Sequence, residues 1–185
     1  MAGKNVQHAF AYDDLREWIA EADKLGEMRY LDGMSWEKDI GMVTEMLHHT
    51  DPAPCALFDK VPGCPDGFRV LTNFFGGKRR GMTIGFPSDM SKLELTDGLA
   101  EITETKKPIP HKIVETGPIM ENVITGDDID MYKYPTPKWH EEDGGRYIGT
   151  GSYNVTKDPD EDWINTGTYR VMIQDKKKVG FYISP

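Results

Sequence analysis

Residues 147–185 constrain the fold more than any other part of the chain. Three strand-like runs follow one another there, at 147–156, 163–173 and 179–184. Two polar turns divide them, Lys157-Asp-Pro-Asp-Glu-Asp162 and Gln174-Asp-Lys-Lys-Lys178. Runs rich in β-branched and aromatic residues, regularly spaced and broken by turn chemistry, predict an antiparallel meander. Three strands are too few to bury a core by themselves. The last run is expected to be an open edge that leaves Phe181 and Ile183 exposed. On this reading the chain is expected to be the N-terminal portion of a larger protein.

Upstream, the pattern is mixed. Asp14 is the expected N-cap of a first helix, with Glu17 as its capping-box partner. Leu15, Trp18, Ile19, Ala22 and Leu25 share one face of it, and Gly26 ends it. A second helix is predicted over 36–49, with Trp36, Ile40, Val43 and Leu47 at helical spacing. Short strands are predicted at 56–58, 68–71 and 81–86, a loop at 73–77, and a third helix at 92–105 that Pro108 and Pro110 close. From Asn122 onward the chain turns aromatic, Gly-rich and strand-like. The fold class is therefore α/β in the α+β sense, with a boundary near Gly117-Pro118 that separates domain 1–118 from domain 119–185.

Charge narrows the function. There are 31 acidic against 22 basic residues and a formal charge of -9. That balance excludes nucleic-acid backbones and anionic membranes as partners, since both need clustered positive charge. Lys78-Arg79-Arg80 and Lys176-Lys177-Lys178 are the basic runs, and both are expected to be solvated loops. The first residues lack the apolar core of a signal peptide, and no run reaches the ~18 to 20 apolar residues of a membrane span. The expected compartment is the cytoplasm, with Cys55 and Cys64 as free thiols.

Several motifs fail on inspection. Asp158, Asp160 and Asp162 match the opening ligands of a calcium loop, but Trp163 and Tyr169 stand where Gly and Glu are required, so a hairpin turn is expected. Gly149-Thr-Gly151 opens like a dinucleotide fingerprint, yet Asn154 occupies the third Gly position and no helix follows. His48-His49 suits a helix C-terminus rather than a metal. Two readings stay open for Trp139-His-Glu-Glu-Asp-Gly-Gly-Arg-Tyr147: a solvated, salt-bridged loop, or a loop shaping a pocket mouth.

The deciding residues are Asn165-Thr-Gly-Thr-Tyr-Arg170. Taken with Trp139 to Thr150 and the terminal Val-Gly-Phe-Tyr-Ile-Ser-Pro185, they resemble the UbiD-like decarboxylases, which use prenylated FMN (prFMN) to decarboxylate or reversibly carboxylate aromatic and unsaturated acids. Asp14-Leu-Arg-Glu-Trp-Ile19, Phe68-Arg-Val-Leu71, Thr125-Gly-Asp-Asp128 and Pro137-Lys-Trp-His-Glu-Glu142 extend the resemblance nearly end to end.

The resemblance implies that 119–185 opens a flavin-binding split β-barrel. It implies that Asn165 is a ligand of a divalent metal (Mn²⁺ or Mg²⁺) on the cofactor phosphate, with K⁺ a further candidate ion. It places Thr168, Tyr169 and Arg170, and also Tyr182, Ile183 and Ser184, on cofactor-contacting stretches, and it makes Arg170 the catalytic arginine. These roles are chemically sensible. An amide oxygen suits a hard cation, and a guanidinium forks onto the carboxylate that leaves as CO₂. Asn165 and Arg170 are five apart and so lie on opposite faces of an ideal strand. A bulge, expected at Gly167, would bring both to one site. The family's remaining metal ligands and acids are expected beyond Pro185, so the isolated chain is expected to be inactive. The expected parent is a carboxy-lyase working as a homo-oligomer on a small acid. Two alternatives are a non-catalytic partner subunit or scaffold, and a simple flavin-binding module.

Overall fold

The computed structural model describes residues 9–107, 109–110, 112–161 and 163–183. Helices and strands mix through the first part of the chain: α1 (Leu15–Lys24), β1 (Met28–Asp32), α2 (Asp39–His48), β2 (Cys55–Asp59), β3 (Val70–Thr72), α3 (Arg79–Thr83) and α4 (Lys92–Thr105). Three strands end it: β4 (Tyr147–Lys157), β5 (Ile164–Ile173) and β6 (Val179–Phe181). The α+β class is the one expected. The strands form two three-stranded sheets, ordered β1-β2-β3 and β4-β5-β6. Among the described residues the second sheet is an open meander, not a closed barrel. The described residues form two compact units, one drawn from within 1–29, 48–55 and 73–123 and the other from within 30–47, 56–72 and 124–185.

In the first unit, Asp14 caps α1 by accepting the Arg16 and Glu17 N–H groups. Glu17 reaches back to the Asp13 N–H, one residue earlier than a capping box would place it. Trp18 is wholly buried, stacks on Phe74 at 4.3 Å and donates its indole N–H to Thr83 Oγ1 at 2.9 Å. Gly26 ends the turn at φ +72°. Helix α4 keeps its expected bounds because Ser91 and Glu94 form a full capping box.

Two expectations fail in this unit, for one reason. Residues 81–86 were expected as a strand, but α3 occupies Arg79–Thr83, burying Arg79, Met82 and Thr83 at helical spacing. Nor is Lys78-Arg79-Arg80 a solvated loop, since Arg79 is 0% exposed. Its Nη1 donates to Glu27 Oε2 at 2.5 Å, and its Nη2 to the carbonyls of Ala53 and Asn73 at 2.8 and 2.9 Å. Glu27 accepts the Lys78 N–H as well. Burying a guanidinium requires that its charge be paired; Glu27 does so here, and of the Arg79 nitrogens Nε alone finds no partner among the described residues. That long-range anchor overrides the local preference of Met-Thr-Ile for a strand.

In the second unit, Ile40, Ala56, Phe58 and Val61 form the core, with Trp36, Val43, Leu47 and Trp139 packed around it. Helix α2 starts at Asp39, three residues later than expected, because Asp39 accepts the Ser35 N–H and fixes the turn ahead of it. Strand β1 was not expected, and its Met-Arg-Tyr-Leu-Asp sequence shows why: it lacks a clear apolar alternation. Strands β2 and β3 pair antiparallel, with Ala56 opposite Thr72 and Phe58 opposite Val70. The strand-like character expected from Asn122 is delayed to Tyr147. Single 3₁₀ turns lie at Pro118–Met120, Gly126–Asp128 and Met131–Lys133 instead, in a stretch rich in the Pro, Gly and Asp that favour turns. Among the described residues, no helix is long and apolar enough to cross a membrane.

Candidate functional site

The meander owes its geometry to a regular register followed by an irregular one. Strands β4 and β5 pair Thr156 with Asn165, Val155 with Thr166, Asn154 with Gly167, Tyr153 with Thr168 and Ser152 with Tyr169. Alternation puts Ser152, Asn154, Thr156, Asn165, Gly167 and Tyr169 on one face. Tyr153, Val155, Thr166, Thr168 and Arg170 lie on the other. Burial follows this division: the first face is partly covered, and the second is exposed, with Tyr153 at 73%.

Beyond Tyr169 the register shifts. Gly149 pairs with Val171 and Tyr147 with Met172, so β4 carries one extra residue opposite Arg170 and a second between Tyr147 and Gly149. The irregularity therefore lies on β4, not at Gly167 as expected. Gly167 has a different reason to be glycine: the Tyr169 ring lies over it, 2.6 Å from where a Cβ would stand.

The sequence-derived residues thus fall into groups. Asn165 and Tyr169 share the partly covered face, while Thr168 and Arg170 share the exposed one. The Arg170 guanidinium sits 5.5 Å from the Tyr147 ring centroid, a cation–π distance. The Tyr169 ring meets Phe181 at 6.0 Å. Strand β6 ends at Phe181, so Tyr182 and Ile183 follow it as exposed residues, 78% and 48% accessible. Ser184 lies outside the described residues, as does Asp162.

The turns hold the sheet in shape. Asp158 Oδ1 accepts the Asp160 and Glu161 N–H groups, and those bonds, the one from Glu161 first, hold its carboxyl below the usual aspartate range. This is the hairpin turn expected in place of a calcium loop. Lys176, Lys177 and Lys178 pair with Asp130, Asp127 and Asp175.

Residues 139–147 form an anchored loop. The Trp139 indole donates to the Tyr147 carbonyl at 3.1 Å, and Gly41 lies so close to the Trp139 carbonyl that no side chain would fit between them. Arg146 lies 4.1 Å over the Trp36 ring and donates to the carbonyls of Thr136 and Tyr134 at 2.8 and 2.7 Å. Burial pulls its pKa down, opposed by Cys64, Tyr132 and Asp130. His140 faces Glu45 and Asp143, each at 3.8 Å. Sequence reasoning did not single out Arg146. Its only local signal is the Gly144-Gly145 pair before it, because its partners are scattered over Trp36 and Thr136.

A divalent cation takes about six oxygen or nitrogen ligands. Among the described residues no three His, Cys, Asp or Glu side chains gather as a metal site. Asn165 and its neighbour Thr156 therefore do not make a cage by themselves. The chemistry of the partly covered face suits a flavin: from Ser152 to Thr156 and from Asn165 to Tyr169 its described residues offer hydroxyls, amides and an aromatic ring, with no carboxylate among them.

Fold and site together define an α+β protein whose antiparallel meander presents an uncharged polar face behind an arginine-bearing one. Residues 112–185 match the family described as UbiD, the 3-octaprenyl-4-hydroxybenzoate carboxy-lyase Rift-related domain. Ferulic acid decarboxylase 1 of Candida dubliniensis is 33% identical over 178 residues, covering 93% of this chain and 34% of the decarboxylase. The vanillic acid decarboxylase of Sedimentibacter hydroxybenzoicus, solved in a closed form, is 29% identical with a TM-score of 0.80, over 94% of this chain and 37% of that one. HmfF of Pelotomaculum thermopropionicum, a UbiD-class enzyme solved in complex with FMN, is 25% identical with a TM-score of 0.74, over 92% of this chain and 37% of that one. An evolved dimeric form of HmfF was solved with prFMN. Residues 112–185 thus carry a UbiD-family domain, and the chain spans about a third of the length of the relatives it matches.

Proposed function

We propose that this chain contributes the N-terminal α/β domain (1–118) and the opening of a flavin-binding split barrel (119–185) to a reversible carboxy-lyase. The substrate class is an aromatic or α,β-unsaturated carboxylic acid, and the cofactor is prFMN. The observation that carries this reading is the Asn165–Arg170 stretch, which lies inside the region matched by the UbiD domain. The ferulic and vanillic acid decarboxylases support the substrate class, and HmfF with FMN and with prFMN supports the cofactor.

When bound, prFMN supplies the electron sink for the pair released as CO₂ leaves. This chain's own residues bind and orient. Arg170 forks onto the departing carboxylate with two parallel N–H donors, and the Tyr147 ring beneath the guanidinium limits its swing. Ser152, Thr156, Asn165 and Tyr169 offer hydroxyl and amide groups to the polar tail of the flavin. Thr168, Tyr182, Ile183 and Ser184 complete the contacts implied by the resemblance. Asn165 would give one amide oxygen to Mn²⁺ or Mg²⁺, the other donors coming from elsewhere in the protein. Asn165 and Arg170 work from opposite faces of β5, so each assignment is tested separately.

The test is CO₂ release from ferulic and vanillic acids, with prFMN and Mn²⁺ supplied to the 185-residue chain and to the full-length gene product. We expect turnover and cofactor colour from the full-length protein only. A full-length protein that neither retains the flavin nor releases CO₂ from any aromatic or unsaturated acid would end this reading.

A further inference from the structure

The register irregularity opposite Arg170 is bordered by a residue that the proposed chemistry leaves unused. Asn154 is partly buried on the inner face of β4. Its Nδ2 donates twice, to the Ser152 carbonyl at 2.6 Å and to the Tyr169 carbonyl at 3.3 Å. Both neighbours are acceptors, so the orientation of the amide group is fixed without ambiguity. Neither carbonyl is arbitrary. Ser152 is the last regularly paired residue of β4 before the register slips, and Tyr169 is its partner. The Tyr169 carbonyl belongs to the peptide unit that joins Tyr169 to Arg170, and that unit is planar. Holding its oxygen fixes the plane from which the Arg170 Cα–Cβ bond departs. A single amide thus ties both strands at the point where their pairing changes, one residue before Arg170. The Arg170 guanidinium then has a defined resting place over the Tyr147 ring.

We propose that Asn154 is a positioning residue for Arg170: its amide clamps the Ser152 and Tyr169 carbonyls and thereby sets the direction of the arginine side chain. The functional consequence rests on the carboxylate-holding role proposed for Arg170, whereas the positioning itself does not. A displacement on the order of 1 Å at a substrate-orienting group costs roughly 10²-fold in rate. Asn154→Ala in the full-length enzyme is therefore expected to lower kcat/KM for ferulate by about 10- to 100-fold.

The direct test reads Arg170 itself, in the ¹⁵N-labelled chain without any ligand. The Arg170 Nε–Hε signal and its side-chain methylene shifts report the Tyr147 ring current. In Asn154→Asp, which keeps the shape and removes both donors, these signals should move toward unstructured values, while the backbone amides of 164–167 and the melting temperature change little. Asn154→Ala should show the same displacement. Lowering the pH of the Asn154→Asp variant protonates the introduced carboxyl and returns one donor, so its Arg170 signals should move part of the way back toward those of the wild-type chain at the same pH, which shares any acid loosening of the β4–β5 turn. Loosened packing would show no such reversal. Arg170 signals that superimpose on wild type in both variants would overturn the proposal. If the signals move, but neither Arg170→Lys nor Asn154→Ala changes kcat/KM in the full-length enzyme, the positioning stands and the catalytic reading of Arg170 falls.

Discussion

Arg170 and Asn165 are separable by what each loses on substitution. Arg170→Lys keeps the charge and removes the planar fork. In the full-length enzyme it should cost roughly 2 to 4 kcal/mol of transition-state stabilisation, or about 30- to 1000-fold in kcat, with flavin absorbance retained. Asn165→Ala should instead lower cofactor retention and leave the protein pale. Absorbance and kcat measured on both variants distinguish the two roles; near-normal turnover in Arg170→Lys, or full flavin occupancy in Asn165→Ala, would show that the residue is a structural part of β5. Both residues could be nominated from the sequence, because Asn165 to Arg170 is a compact local motif, and their roles stand as proposals. Arg79 was not. Its partner Glu27 lies 52 residues away, and a basic triplet read locally carries no hint of a buried acceptor. The face on which each residue sits was only half legible. Alternation was correct along β5, but the register slip falls on β4 at Gly149 and Gly151, a glycine pair that signals a bulge and that was weighed only as a dinucleotide fingerprint.

At the scale of elements, close approach and capping make the sharpest predictions. Gly41 in α2 lets the Trp139 carbonyl pack against the helix, so Gly41→Ala forces the 139–147 loop outward. Overpacking of this kind costs about 1–3 kcal/mol, which a urea melt of the variant against wild type would measure; an unchanged midpoint would mean that the loop is not held there. Acid should act on the caps. Asp14 is held below its usual pKa, first by the Glu17 N–H, and Asp158 by the Glu161 N–H. A carboxylate whose folded pKa is depressed contributes stability above its unfolded value, near 3.9, and loses that contribution as pH falls through the folded value. The start of α1 and the β4–β5 turn should therefore loosen below about pH 4. Carboxyl ¹³C titration should give midpoints for Asp14 and Asp158 below the ordinary aspartate value. Helices with complete local signals were read well, α4 above all, whose Ser91 and Glu94 sit at its edge. Helix α3 was misread because five residues cannot display a helical period, and because the anchor that makes it a helix is remote.

At the scale of the whole molecule, the Glu27–Arg79 pair is the main charged commitment of the first unit. Glu27→Gln leaves a buried guanidinium without its counter-charge, which costs about 3–5 kcal/mol. For a chain of this size that is a fall in Tm of roughly 6–20 °C, readable by calorimetry; a loss under about 1 kcal/mol would mean that the pair is solvated in solution. Tyr153, Val155, Ile164, Phe181 and Ile183 leave apolar side chains exposed on and beside the meander. Association that rises with concentration in light scattering is the expected consequence.

The central claim is that the meander is a flavin surface built around Asn165 to Arg170. A titration of the dilute ¹⁵N-labelled chain with FMN tests it most directly, because amide shifts report even millimolar binding residue by residue. Shifts are expected to concentrate at 165–170 and at Phe181 to Ile183, with α4 unmoved. Shifts confined to the first unit, or none at any FMN concentration reached, would contradict it.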